Sequence, residues 1–152
     1  MTKHAVFLMF AMAAASVPLL TAQSNEVLDA VLGEAALSYG NAAYIIGTAS
    51  GHLLETIAPA EAGARLEQQG LGLPGRNPTD RVTLGEFSYL LTRAFRIPGG
   101  FMYWILPGPR YATRELVYLG MISGPAKPSM SLSGERALRI LERVLHSKEA
   151  AQ

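Results

Sequence analysis

The chain predicts an all-α fold, a small helical bundle of helix–loop–helix repeats behind an N-terminal export signal. Three observations carry this. No stretch past residue 24 sustains four clean apolar/polar alternations, whereas apolar residues recur at three- and four-residue steps. Gly and Pro divide those steps into segments of helix length. The same punctuation then comes round again 50 residues later.

Residues 1–23 read MTKHAVFLMFAMAAASVPLLTAQ. Lys3 and His4 make a short positive start, Ala5 to Leu20 carry no charge, and small residues follow at Thr21 and Ala22. This is the layout of a secretory signal peptide, expected over 1–22 with cleavage after Ala22 or Gln23. The apolar run is short for a bilayer span, which takes about 20 residues, so no integral span is expected once the signal is removed. Its removal takes away Lys3 and no acid, leaving basic and acidic residues equal in number. An exported, neutral chain without cysteine fits the periplasm or cell envelope of a bacterium.

The first helical segment is expected within 24–52. Val27, Val31, Ala35, Tyr39, Ala42 and Ile46 line one face, and Ala and Gly keep another face small. Interior glycines cost about 1 kcal/mol each, so the helix is expected to bend or break near Gly40. A repeat follows over 59–98. Pro59 is a good first-turn residue, Ala62 and Leu66 face inward, and Gly70 stops the helix. After a loop rich in Gly, Pro, Asn and Asp, Thr83 and Glu86 have capping-box spacing, in which each side chain satisfies the other's backbone N–H. Phe87, Leu90, Leu91, Ala94 and Phe95 form the buried stripe of the helix that opens there. Residues 99–108 read as a linker. A second repeat over 109–147 restarts at Pro109, stops at Gly120, and resumes at a cap on Ser131 or Ser133. At a shift of 50, Pro59 falls on Pro109, Leu66 on Leu116, Gly70 on Gly120, Pro78 on Pro128, Thr83 on Ser133 and Arg93 on Arg143. A fainter third copy is suggested by Leu32-Gly33-Glu34 falling on Leu84-Gly85-Glu86 at a shift of 52.

Composition narrows the function. A net charge of +1 leaves no basic excess for phosphate neutralisation, so no nucleic-acid partner is expected. Absence of Cys excludes disulfides, thiolate zinc sites and a thiol nucleophile. His52 and His146 lack ligand partners at metal spacing, so no metal or cofactor is expected. Ser38, Ser88 and Ser133 stand in no Gly-x-Ser-x-Gly elbow, and Glu86 is better explained as a capping partner than as a catalytic acid. The expectation is therefore a protein that is not an enzyme.

The stretch 101–114, FMYWILPGPRYATR, holds the only Trp. Tyr103 and Trp104 offer aromatic faces, and Arg110 and Arg114 offer guanidinium forks one helical turn apart. These residue types bind sugars and carboxylates. Arg76 and Arg81 extend the basic middle of the chain, where only Asp80 and Glu86 oppose six arginines between 76 and 114. An aromatic plug between the repeats is the structural alternative for this stretch.

A short helix ending in Gly, a Pro-containing loop and a Thr/Ser-capped amphipathic helix with an early Glu resembles the S-layer homology domain. The residues that carry the likeness are Ala62 to Gly70, Leu71-Gly72-Leu73-Pro74-Gly75 and Val82-Thr83-Leu84-Gly85-Glu86-Phe87 in the first repeat. In the second they are Tyr111 to Gly120, Pro128 and Ser131 to Glu135. The resemblance implies a pseudo-threefold helical bundle, with the first helix supplying a third long helix, and binding of cell-wall polysaccharide. The family signature Thr-Arg-Ala-Glu places its glycan-binding Arg where this chain has Leu84. The functional expectation is an exported, non-catalytic envelope protein that binds a wall polysaccharide or another envelope protein. The alternative is an assembly protein that docks a partner helix on the small-residue face of 26–50.

Overall fold

The computed structural model describes residues 18–100 and 105–150. The expected signal peptide lies largely outside them. The described residues are all-helical apart from two isolated β-bridges. Six helices follow in order: α1 (Pro18–Gly33), α2 (Tyr39–Ala49), α3 (Pro59–Gln68), α4 (Leu84–Ala94), α5 (Pro109–Tyr118) and α6 (Gly134–Glu149). None is long and apolar enough to cross a membrane.

The expected first helix is two helices. The break falls at 34–38, earlier than Gly40, which is already inside α2. Glu34-Ala35-Ala36-Leu37 has good helix propensity, so local preference does not explain the break. Tertiary pairing does. Leu37 N–H donates to the Leu132 carbonyl (2.7 Å), and the Leu37 carbonyl accepts from Val82 N–H (2.9 Å). Both bonds require extended backbone at Leu37. The Glu34 carboxylate stabilises the turn by accepting from Ser38 N–H (2.8 Å), the Ser38 hydroxyl (3.0 Å) and the Asn41 amide (3.1 Å).

The three helices α2, α4 and α6 open alike. Their N-caps Ser38, Thr83 and Ser133 share an extended conformation, with φ of −77°, −85° and −79°. Each then gives its first helical N–H to a neighbouring loop. Tyr39 donates to Asp80 (2.7 Å), Leu84 to Met130 (2.9 Å) and Gly134 to Glu34 (2.9 Å). N–H groups that a helix cannot satisfy itself are thus satisfied by the next segment round. The three bonds close a ring, α2 to the 78–82 loop, α4 to the 128–131 loop, and α6 back to the end of α1. Leu37, Val82 and Leu132 sit at its hub, fully buried.

The other three helices clothe the ring. Helix α3 packs on α2, α5 on α4, and α1 on α6. The third copy therefore differs from the one expected at a shift of 52. Ser38 and Gly40 correspond to Thr83 and Gly85, since Gly40 N–H donates to Pro78 and Gly85 N–H to Pro128, each at 2.8 Å. Close approach makes small residues necessary at these openings. A Cβ on Gly134 would lie 1.6 Å from the Val31 carbonyl oxygen.

Several positions 50 residues apart take the same conformation. Gly70 and Gly120 both end a short helix at positive φ (71° and 73°), which favours glycine. The next residues, Leu71 and Met121, donate to Leu66 and Leu116 at 2.8 and 2.9 Å. Ala62, Leu66, Ala112 and Leu116 are all buried, as are Leu91 and Leu141. Ser133, not Ser131, caps α6, accepting from Arg136 N–H at 3.4 Å.

Candidate functional site

The expected aromatic pair, Tyr103 and Trp104, lies outside the described residues. Their flanks are described. Ile105 and Leu106 are exposed, and Pro109 opens α5. Arg110 and Arg114 project from α5 into solvent, one turn apart, with no ion pair or hydrogen bond to another described residue. Neither pairs with Glu115 or Asp80. The Glu115 carboxylate accepts from Gly100 N–H (2.9 Å), and Asp80 caps Asn77 N–H (2.9 Å).

One residue of this face escaped the sequence reading. Tyr118 is 85% exposed. It stands four residues after Arg114 and eight after Arg110, so the three share one side of α5. That spacing is readable in the chain, but Tyr118 falls beyond the aromatic-rich stretch 101–114. The exposed strip thus carries two guanidinium groups and a phenol ring, with Val117 and Leu119 half-exposed beside it.

Arg76 and Arg81 form a separate group. Arg76 Nη2 donates to the Arg81 carbonyl (2.6 Å) and lies 3.3 Å from Glu86 Oε1, and its Nε is 3.9 Å from Asp80. Its Nε is buried without a hydrogen-bond partner. Arg76 therefore ties the loop to the start of α4. The Arg81 side chain remains in solvent.

The capping residues are at work as a box. Thr83 Oγ1 accepts from Glu86 N–H (3.2 Å), and Glu86 Oε2 accepts from Thr83 N–H (2.8 Å). Other polar groups are likewise structural. Ser88 donates from the core to the Leu84 carbonyl (2.7 Å). His52 Nε2 lies 3.0 Å from the Ala94 carbonyl, which makes Nε2 the protonated nitrogen. The loop Gly72 to Arg76 is anchored where Leu73 N–H donates to the buried Tyr39 hydroxyl (2.9 Å). Burial raises the Tyr39 phenol above its ordinary pKa, and the same cause raises Tyr44.

Among the described residues no group of three or more His, Asp and Glu is placed to hold a metal. The α5 strip offers charge-assisted hydrogen bonds from arginine and a face for stacking on a phenol. No family model, curated protein or solved structure matches this chain.

Proposed function

We propose that this is an exported, non-catalytic envelope protein whose three helix–loop–helix units, similar to S-layer homology repeats, bind a wall polysaccharide or an envelope partner. The observation that carries the reading is the outward strip of α5, where Arg110 and Arg114 face solvent in line with Tyr118. A cation that no described side chain neutralises, next to an exposed ring, suits a ligand with anionic groups and apolar sugar faces. Tyr103 and Trp104, just before this helix, extend the same chemistry. The ring of three helices that open alike supports the likeness to the family, as does the 50-residue recurrence. Bacterial export rests on the layout of residues 1–22.

The assembly alternative is less favoured. Ala42, Ala43, Ile46 and Gly47, the small face of α2, are buried within the chain itself, beneath α3 and α4. The test is retention on isolated cell envelope. Replacing Trp104, Arg110 and Tyr118 by Ala together is expected to abolish it with the helical circular dichroism unchanged. Undiminished retention would refute the reading.

A further inference from the structure

The two 50-residue units diverge most tellingly on one face of their long helices. In α4 that face carries Glu86, Tyr89 and Arg93. In α6 the corresponding residues are Arg136, Arg139 and Arg143. Opposite them, Arg76 and Asp80 of the first unit become Ala126 and Met130 in the second. The first unit is thus balanced in charge, with Arg76 against Glu86 and Asp80. At these positions the second has lost both carboxylates and holds three cations where the first holds two.

The fold gathers those cations. Arg136 Nη2 donates to the carbonyls of Ser123 (3.1 Å) and Pro125 (2.5 Å). Arg143 Nη1 donates to the Ser123 hydroxyl. Two guanidinium groups therefore meet on one residue, and each bonds only to neutral atoms. None of the ion pairs among the described residues involves either of them. Arg136 is half-buried and Arg143 exposed, so water screens part of their mutual repulsion, and an anion between them would remove the rest. Arg139 stands between them and pairs with Glu135, but both side chains are more than 60% exposed, and such a pair contributes little and exchanges readily. A cavity of about 280 Å³ opens here, lined by Ser123, Ser133, Arg136, Arg139 and Arg143, with Glu135 the one carboxylate among its lining residues. That is at the small end of ligand pockets.

We propose that this cavity is an anion site, taking one phosphate or carboxylate group of a small ligand. Arg143 and Arg139 supply the fork of donors, and Arg136, held on the Ser123 and Pro125 carbonyls, fixes the loop and adds its charge. The site is independent of the α5 strip and of any glycan-binding role. Nor does it use the first-turn position where the S-layer signature carries its arginine, which is Leu84 in α4 and Gly134 in α6.

The test is a nuclear magnetic resonance titration of the whole protein with inorganic phosphate, glucose 6-phosphate and glucuronate, against chloride at equal ionic strength. Saturable shifts are expected at the Ser123 amide and at the Nε–H groups of Arg139 and Arg143. The ranking of the three probes identifies phosphate or carboxylate as the preferred group. Arg143→Gln is expected to weaken binding about tenfold, the loss of one charge-assisted contact. Glu135→Gln, which frees Arg139, is expected to tighten it, a gain that misfolding does not produce. Shifts that rise linearly and equally with chloride would overturn the proposal. So would unchanged affinity in an Arg139→Gln, Arg143→Gln double variant, or loss of binding in Arg114→Gln instead.

Discussion

Thr83 and Tyr39 show how single side chains hold this fold. Thr83 closes a capping box at the start of α4, and its hydroxyl also lies 3.0 Å from Glu86 Oε2. Thr83→Ala removes an acceptor for an orphan N–H and is expected to cost about 1 kcal/mol, read as a lower urea midpoint at constant slope. The Tyr39 phenol is the acceptor for Leu73 N–H inside the core. Tyr39→Phe leaves that N–H unsatisfied, at a cost of about 1–3 kcal/mol. The substitution also has a pH signature. Burial raises the folded-state pKa of Tyr39 above 10.0. The neutral phenol is therefore favoured by folding, and its stabilisation is intact below that pH and fades as pH climbs towards the folded pKa. Stability measured between pH 9 and 11 is expected to fall less steeply in Tyr39→Phe than in the natural protein, with Tyr44 supplying a residual slope. Equal slopes would show that Tyr39 ionises as easily folded as unfolded.

At the scale of elements, α1 and α6 are the informative pair. They are the farthest apart in sequence of the packed helices, and they meet where Gly134 touches the Val31 carbonyl. Gly134→Ala puts a methyl group into backbone that has no flexible end to move aside. It is expected to destabilise by about 1–3 kcal/mol, as overpacking does, and to raise amide exchange in 25–33 before the rest of the chain. Thermal melting and hydrogen exchange measure both. An unchanged melting temperature would mean that α1 is not held against α6 in solution. The split of the expected first helix belongs to this scale as well. Its residues favour helix throughout 34–37, and only the demand of two other segments for the Leu37 backbone stops them.

For the whole molecule, ring closure distinguishes this bundle from an open array. In a linear repeat protein each unit touches only its neighbours, and ends fray separately. Here the last long helix bonds back to the turn after the first helix, so no unit is terminal. Urea unfolding is expected as one transition, with far-UV circular dichroism and amide exchange in α2, α4 and α6 giving one midpoint. Distinct midpoints for the three helices would show independent units. The same symmetry throws its exceptions into relief. Positions repeated for structure, such as Gly70 and Gly120 or Ala62 and Ala112, keep their identity. The α6 face that differs in charge from its α4 counterpart does not, and the anion site is proposed there.

Much of this was legible in the chain because helix boundaries are local events. Pro59, Gly70, Thr83, Pro109 and Gly120 act through their own backbone preferences, and each marks a boundary to within two residues. The inward stripe of α4 was likewise readable from spacing, with only Phe95 left partly exposed. Arg76 was not, because its tie to Glu86 spans a loop whose path no local rule specifies. Nor was the meeting of Arg136 and Arg143 on Ser123, three residues on two segments. By itself the sequence determined which stretches are helical and that the pattern recurs, since both follow from propensities within a few residues. Tertiary structure alone decided where the first helix breaks and which charges are left without counter-charge. Those depend on backbone and side chains distant in the chain competing for the same partners.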